Sequence, residues 1–587
     1  MRRVNEDSLQ AMEAMYFAID EINSDPNILP NVRVGAVMFD SCRNSTRILR
    51  QLSKYFKDDT LPLAVVGASD SRVTTTIAEV MKRHKLPVIS YASTDPVLSD
   101  TTLFPYLLRA VPSDVWQASV IVSLLKKFQW DYITAFYSDS AYGRSSFSEF
   151  LRLTEAERIC LGSQVMLADY LVNDAKTMED LVRFYISRRF ARCHVVVLFT
   201  SDWHTRSLLS AYKSWMRNSG NLNRVIWIGT NGWGSRLDVV SGLETIVDGA
   251  FTIGFYSEDI PRFKQHLMTR TLENDGQNPW FKEYWQQQLG CYIHQNDKNI
   301  YAPVECKSNQ TLADLRFRMA DRVPYVIDSV YTIALALDEL IKRCREPSEV
   351  YCISKYRNSD TLFRTMRNLD FFSEITKLQV SYDILGNGIP RYNIFNLRYD
   401  EKRSVYDYYT VGNWTDTKFE IDSSGLIVYL ASLPNLNITS TCQTCACSDG
   451  RVADLKYQMN YGGLTLIGFF PIHGSSQDQA LCSKMDNIDG FLQFMAFKYA
   501  IEQMNKDATV LRNITLGFLA FDTCSDPDQA SLAYRSWSSG LQLFTQKPQA
   551  PIVTYTNGFV AQYDHDVTMM LNKVNSIGKP LVQVRIT

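Results

Sequence analysis

Residues 61–100 read LPLAVVGASDSRVTTTIAEVMKRHKLPVISYASTDPVLSD, and this stretch decides the fold of the chain. The apolar run at 63–66 predicts a buried strand, residues 74–83 a helix, and residues 86–93 a second buried strand. Strand, helix and strand in this order form a βαβ unit whose strands are covered on both faces. The stretch therefore predicts an α/β protein with parallel sheets.

The same alternation continues along the chain. Helical periodicity appears at 13–22, 118–128, 204–215 and 323–341. Apolar runs that predict strands appear at 32–39, 132–137, 195–199 and 225–229. The chain is therefore expected to contain a series of such units.

Small and polar residues follow both strands of the first unit, at 67–71 and at 92–94. Ligands of parallel sheets bind beyond the carboxyl ends of the strands. The helix after the first turn also has free N–H groups and a positive dipole end, which would attract a carboxylate beside Ser71. A small-residue turn that only lets strand and helix pack closely would have the same sequence.

Length and composition limit the possible functions. A chain of 587 residues is expected to form two to four domains. Its 61 basic and 63 acidic residues give a net charge of −2 without long runs of either sign, so no nucleic-acid partner is expected. No apolar window is long enough to predict a transmembrane helix, and the first residues, MRRVNEDSLQ, do not form a signal peptide.

Cysteines and glycosylation sequons nevertheless favour an extracellular chain. The spacings of Cys291 from Cys306 and of Cys344 from Cys352 suit local disulfides, among twelve cysteines in all. The candidate glycosylation sites are Asn44, Asn309, Asn413, Asn437 and Asn513.

An internal repeat organises the chain. Residues 495–524 repeat residues 13–42 without a gap, at an offset of 482, so the same domain is predicted to begin twice. In the second copy a strand at 464–470 and a loop with Cys482 precede the repeat. If Cys482 pairs with Cys524, the first copy lacks its opening strand and Cys42 lacks its partner. The predicted domains are 1–435 and a partial copy at 456–587, in which no equivalent of Ser71 is evident.

A small cysteine-containing linker, 436–455, separates the two copies. Cys442, Cys445 and Cys447 have a C-x-x-C-x-C spacing that would also suit zinc, but no second cluster accompanies it. Disulfides are expected there, and neither a metal nor a cofactor is predicted.

Nine blocks of residues 1–430 resemble, in order, the Venus-flytrap ligand-binding domain of class C G-protein-coupled receptors, most closely the metabotropic glutamate receptors. They are SLQAMEAMYFAIDEINSDPNILPNV, VVGASDSRV, LPVISYASTDPVLSD, RAVPSD, AYGRSSF, WIGTNGWGS, NPWFKEYW, VIDSVYTIALAL and PRYNIFNL. The resemblance implies a bilobed, periplasmic-binding-protein-like domain that binds an amino acid between its lobes and signals by closing. Lobe 1 would comprise about 1–113 and 248–370, and lobe 2 about 114–247 and 371–430.

The resemblance also implies roles for individual residues. Ser71 falls where the family binds the ligand α-carboxylate, and Thr94 where a hydroxyl holds the carboxylate and amino groups. Asp114 and Tyr142 fall where the second lobe contacts the amino group. Each residue type also has a structural alternative, because Thr94 suits a strand end, Asp114 a helix cap and Tyr142 a core.

The chain departs from the family at several of these positions. Ser201 and Asn231 replace two acidic residues near the amino group, and Ala11 replaces a basic residue that clamps the glutamate side chain. Arg236 and Lys355 remain as candidate distal cations. Glutamate is therefore doubtful as the ligand, whereas another amino acid or analogue is expected.

The resemblance implies a receptor ectodomain on the outer face of the plasma membrane. Such domains form homodimers or heterodimers through lobe 1 and act on a G protein through a stalk and membrane helices outside this chain. Cys160 matches the position through which the family tethers the second lobe to the stalk. In this chain the cysteines from Cys442 to Cys447 would take the place of the stalk cysteine.

Two alternatives to a receptor remain, a secreted amino-acid-binding protein and a degenerate flytrap that serves only in dimerisation. No enzyme is predicted, since the G-x-S-x-G, P-loop and H-E-x-x-H motifs are absent.

Overall fold

The computed structural model describes a defined part of the chain and divides it into two compact units, Met1–Thr441 and Cys442–Thr587. The described residues are 4–55, 62–186, 194–219, 225–273, 278–298, 302–307, 310, 312–314, 317–344, 348–357, 359–415, 418–422, 440, 457–460, 464–474, 488–507, 509, 515–525 and 555–561.

The first unit is a mixed α/β structure with two main sheets. The smaller sheet is parallel and consists, in order, of Val65–Val66 (β1), Val88–Ser90 (β2) and Leu107–Arg109 (β3). The larger sheet has eight strands in the order β15-β14-β13-β8-β7-β6-β4-β5. These are Tyr132–Ser138 (β4), Cys160–Leu167 (β5), Val195–Phe199 (β6), Ile226–Gly229 (β7), Phe251–Phe255 (β8), Arg391–Asp400 (β13), Val405–Thr415 (β14) and Lys418–Ile421 (β15).

Helices and short strand pairs complete this unit. The short strands are Cys291–Tyr292 (β9), Val304–Glu305 (β10), Phe371–Phe372 (β11) and Gln379–Val380 (β12). The helices are Glu6–Ser24 (α1), Ser45–Tyr55 (α2), Ser71–Arg83 (α3), Asp114–Lys127 (α4), Ala141–Ala156 (α5), Ala175–Tyr185 (α6), Asp202–Ser219 (α7), Leu237–Val240 (α8), Pro261–Met268 (α9), Phe281–Leu289 (α10), Val323–Arg343 (α11), Glu349–Tyr356 (α12) and Asp360–Arg367 (α13).

The apolar strands of the larger sheet are buried on both faces, as their sequences predict. Along β6, Val195 and Val197 face one core cluster with α4 and α5, whereas Val196 and Leu198 face another with α6 and α7. Successive side chains of a strand point to opposite faces, so one apolar run supplies both clusters. The predicted βαβ unit is confirmed as β1-α3-β2, although both strands are shorter than the apolar runs.

The strand predicted at 32–39 does not form among the described residues, so this prediction is wrong. Both backbone polar groups of Val34 bond to the side chain of Asn23, at 2.8 and 2.9 Å. Residues 35–39 form no backbone hydrogen bond within the described part of the chain. Val37 is 57% and Phe39 38% exposed in this segment. A strand requires a neighbour to pair with its backbone, and the periodicity of one segment does not supply it.

The second unit contains a four-stranded sheet and one described helix. In sheet order the strands are Tyr457–Asn460 (β16), Leu516–Asp522 (β18), Leu464–Phe470 (β17) and Tyr555–Ala561 (β19), and the helix is Ile488–Lys506 (α14). The helix α14 matches α1 at the offset of 482, and Asn505 bonds the backbone of Leu516 at 2.7 and 2.8 Å, as Asn23 bonds Val34. The helix and the asparagine contact that follows it are therefore the same in both copies, whereas β18 has no counterpart strand at the described residues 34–40.

Both predicted local disulfides are formed. The Cα atoms of Cys291 and Cys306 are 4.9 Å apart, and those of Cys344 and Cys352 are 6.1 Å apart. Cys160 and Cys524 are also disulfide-bonded, whereas their predicted partners, Cys482 and the linker cysteines Cys442, Cys445 and Cys447, lie outside the described residues.

The candidate glycosylation sites differ in exposure. Asn44 is exposed just before α2, and Asn413 is half-buried in β14. Asn309, Asn437 and Asn513 lie outside the described residues. In the part of the chain that the structure describes, no helix has both the length and the apolarity to cross a membrane.

Candidate ligand-binding cleft

A cavity of about 120 Å³ lies beyond the carboxyl ends of strands from both sheets of the first unit. This is where parallel sheets bind ligands. Its lining follows β1 (69–72), β2 (92 and 94), β4 (140 and 142), β5 (169), β6 (201–204) and β7 (231, 232 and 236), with Arg43 and Arg322 in addition.

Hydroxyl groups hold the turn after β1. The carbonyl oxygen of Ala68 accepts hydrogen bonds from the hydroxyls of Ser90 at 2.8 Å and Ser93 at 3.0 Å. The Thr74 hydroxyl lies 2.7 Å from that of Ser93 and accepts the Ala68 N–H at 3.1 Å. The turn at the cleft is thus fixed before any ligand arrives.

The start of α3 differs from the sequence-based expectation of free N–H groups. One carboxylate oxygen of Asp70 accepts the N–H groups of Arg72 at 3.0 Å and Val73 at 3.2 Å, as a helix N-cap does. These two N–H groups are therefore not available to a ligand, and that expectation is wrong for them. Ser71 lines the cavity and remains the candidate contact for a ligand carboxylate at this turn.

Asp114, the first residue of α4, lies behind the cavity and not in its lining. Its side chain is fully buried, and its carboxylate accepts hydrogen bonds from Ser146 at 2.9 Å and Gln117 at 3.0 Å. Burial raises the pKa of Asp114 to about 7, against the lowering effect of hydrogen bonds from Thr94 and Ser146 and of the charge of Arg109. The Thr94 side chain thus connects this carboxylate to the cavity.

A hydrogen-bonded chain joins Asp114 to the far wall of the cleft. Gln117, which binds Asp114, accepts the backbone N–H of Asn231 at 2.8 Å. The Tyr142 hydroxyl lies 2.9 Å from Oδ1 of Asn231 and 2.7 Å from the Thr230 hydroxyl. Burial raises the pKa of Tyr142, so its hydroxyl keeps its proton. These contacts fix the side chains of Tyr142 and Asn231 in the wall of the cavity.

Ser201 and Gly232 form a neighbouring part of the wall. The Ser201 hydroxyl lies 2.6 Å from Nδ1 of His204, whose Nε2 is 3.2 Å from Asp169. A Cβ atom on Gly232 would lie 2.3 Å from the carbonyl oxygen of Thr200, so only glycine fits at this position.

Arginine and aspartate side chains fill the other end of the cleft. Arg236 lies 2.9 Å from Asp202, 2.7 Å from Asp238 and 3.4 Å from Asp7. Arg43 binds both oxygens of Asp202, at 2.8 and 2.9 Å. Three carboxylates therefore surround Arg236, and one of them also binds Arg43.

The structure brings six of the eight predicted binding residues together in the cavity lining. They are Ser71, Thr94, Tyr142, Ser201, Asn231 and Arg236. Asp114 lies one layer behind them, and Lys355 lies exposed on α12, 5.9 Å from the ring of Tyr356 and not in the lining. Ala11 is buried in α1 and brings no charge to the site.

Sequence reasoning missed Arg43, Asp202 and Arg322, which also line the cavity. Only Asp202 carries a local signal, because it follows β6 and begins α7, next to the predicted Ser201.

The model of the family described as "Receptor family ligand binding region" matches residues 10–400. The match covers more than half of the chain, so the chain belongs to this family of receptor ligand-binding regions. The flytrap domains of class C G-protein-coupled receptors are members of the same family, whose domains are typically extracellular.

Proposed function

We propose that the first unit is the ligand-binding region of a metabotropic glutamate receptor-like G-protein-coupled receptor and binds an amino acid or a related small molecule. The observation that carries the proposal is the convergence of Ser71, Thr94, Tyr142 and Asn231 on one cavity backed by the buried Asp114. Hydroxyls suit a carboxylate, whereas an aromatic ring, an amide oxygen and a nearby carboxylate suit an ammonium group.

The proposed action is a switch between open and closed clefts. Ser71 and Thr94 follow the smaller sheet, whereas Tyr142 and Asn231 follow the larger one. A ligand that contacts both sides binds the closed state more tightly than the open state. Only that difference in affinity moves the equilibrium.

The remaining parts of the proposal concern the whole receptor. The first unit would act as a homodimer or heterodimer at the outer face of the plasma membrane and reach a G protein through membrane helices. Residues 456–587 would be a partial second flytrap, which the repeated contacts of Asn23 and Asn505 support.

One observation favours a second candidate, a flytrap that serves only in dimerisation. The Arg43–Asp202 and Arg236–Asp7 pairs join the two sides of the cleft through the chain's own side chains. A cleft held in this way has less need of a ligand to close it.

Thermal unfolding of the full chain with a panel of amino acids tests the proposal. A ligand at about a hundred times its dissociation constant stabilises the fold by about 2.7 kcal/mol, and this gives a measurable rise in Tm. The shift should disappear with Ser71→Ala or Thr94→Ala and persist with the control Ser210→Ala, whose hydroxyl bonds to Arg206 on an exposed part of α7. A folded chain that no amino acid stabilises would favour the second candidate.

A further inference from the structure

Every arginine that lines the cavity has an aspartate partner among the described residues. Arg43 and Arg236 lie 2.8 and 2.9 Å from Asp202, Arg322 lies 3.8 Å from Asp7, and Arg72 lies 3.6 Å from Asp70. An acidic ligand side chain would need a free cation at this end of the cleft. These arginines are already paired with carboxylates of the chain itself.

The centre of this network is shielded from water. The side chains of Arg236, Asp7 and Asp202 are 11%, 13% and 15% exposed. Burial alone would raise the pKa of Asp202, but the hydrogen bonds and charge of Arg43, with the charge of Arg236, hold it well below its usual range. Asp202 is therefore a fixed negative charge at physiological pH.

The network joins residues that come from different parts of the fold. Asp202 and Arg236 follow β6 and β7 of the larger sheet, whereas Asp7 lies in the first turn of α1 and Arg43 just before α2. The Arg43–Asp202 and Arg236–Asp7 pairs therefore reach from one side of the cleft to the other.

We infer that Asp202 and Asp7 stand in for the acidic side chain of a ligand, so that the cleft selects amino acids with a neutral side chain. This inference rests on the proposed function. A ligand carboxylate would have to displace Asp202 from Arg43 and Arg236, or be buried beside it as a like charge. A neutral side chain leaves the network intact.

L-glutamine and L-glutamate form a matched pair of probes, because they have the same shape and differ in charge. Isothermal titration of the full chain should show that glutamine, or another neutral amino acid, binds at least tenfold more tightly than glutamate. Equal affinities would overturn the inference and leave the proposed function standing. Binding of no amino acid at all would instead count against the proposed function.

Asp202→Asn tests the cause of the selectivity. The substitution keeps the shape of the side chain and removes its charge, so glutamate affinity should rise at least tenfold while glutamine affinity changes less than threefold. Asp7→Asn is an independent test with the same expected rise in glutamate affinity, since it removes the charge of a partner of Arg236 and Arg322. Asp180→Asn is the matched control, because Asp180 pairs with Arg183 on an exposed helix surface. Unchanged glutamate affinity in a folded Asp202 or Asp7 variant would overturn the inference.

Discussion

One aspartate, Asp114, lies behind the cleft and another, Asp202, lines it, and the two carboxylates differ in how their charge is balanced. Asp114 is fully buried and bonded to the neutral side chains of Gln117 and Ser146, and burial raises its pKa to about 7. Asp202 is bonded to Arg43 and Arg236, which hold its pKa well below the usual range. The inner carboxylate therefore gains most from a ligand cation, whereas the outer one needs none.

The largest expected difference between the two aspartates is in binding. Asp114→Asn should weaken the binding of a neutral amino acid by about a hundredfold, roughly the loss of a charged hydrogen-bond partner. Asp202→Asn should change the same affinity less than threefold. Isothermal titration of both variants measures the contrast. Equal losses of affinity at the two positions would show that Asp114 and Asp202 do not differ in their contribution to ligand binding.

The second expected effect is on stability, to which the network around Asp202 should contribute. Asp202→Ala leaves Arg43 and Arg236 without their shared partner in a partly buried site, and we expect the free energy of unfolding to fall by about 2 kcal/mol. Asp180→Ala, on an exposed helix surface, should stay within about 0.5 kcal/mol of the unsubstituted chain. Chemical unfolding of the two variants provides the measurement, and a similar cost at both positions would contradict the role given to the network.

The third expected effect is a pH dependence that comes from Asp114 and not from Asp202. The pKa of Asp114 is raised in the folded chain, so its contribution to stability is present below about pH 4 and is lost as pH rises toward 7. A ligand ammonium group prefers the ionised form, so ligand affinity should rise over the same range and binding should release protons below pH 7. Arg109 and Asp95 are the charged groups that act on Asp114, with opposite signs.

Titration in buffers of different ionisation enthalpy measures this proton release. The Asp114→Asn variant should show none, whereas the Asp202→Asn variant should release as many protons as the unsubstituted chain. A pH-independent affinity between 5 and 8 would contradict the assignment of Asp114 as the partner of the ammonium group.

The sequence predicted the parts of the fold that depend on local pattern. The helices α1, α3 and α11 appear where the periodicity placed them, but the repeat shows where such prediction fails. Residues 34–40 and β18 have the same pattern, yet Leu519 and Phe521 are each 2% exposed in β18, whereas Val37 and Phe39 are exposed in the first copy. The strand β18 pairs with β16 and β17, and residues 35–39 pair with no described strand.

The site shows the same limit. Ser71, Thr94 and Tyr142 each stand at a turn after a strand or at a helix start, so the sequence indicates their place. Arg43 and Asp202 are 159 residues apart, and nothing local to either residue predicts that they pair. The sequence indicated Arg236 and Lys355 as candidate distal cations, because ion pairs between residues far apart in the chain are visible only in the folded structure. It did not reveal that Arg236 is already paired and that Lys355 lies elsewhere.

The smallest expected effect concerns the outer partner of Asp202. The Arg43 side chain is 44% exposed, so solvent screens its attraction to Asp202. Arg43→Gln should therefore lower the free energy of unfolding by less than about 1 kcal/mol, and high salt should reduce the difference further. Arg236→Gln should lower the free energy of unfolding by more, because Arg236 is more buried and its loss leaves the charges of Asp202, Asp238 and Asp7 without their shared cation. A larger loss from Arg43→Gln than from Arg236→Gln would show that the outer pair, and not the shielded centre, holds this end of the cleft.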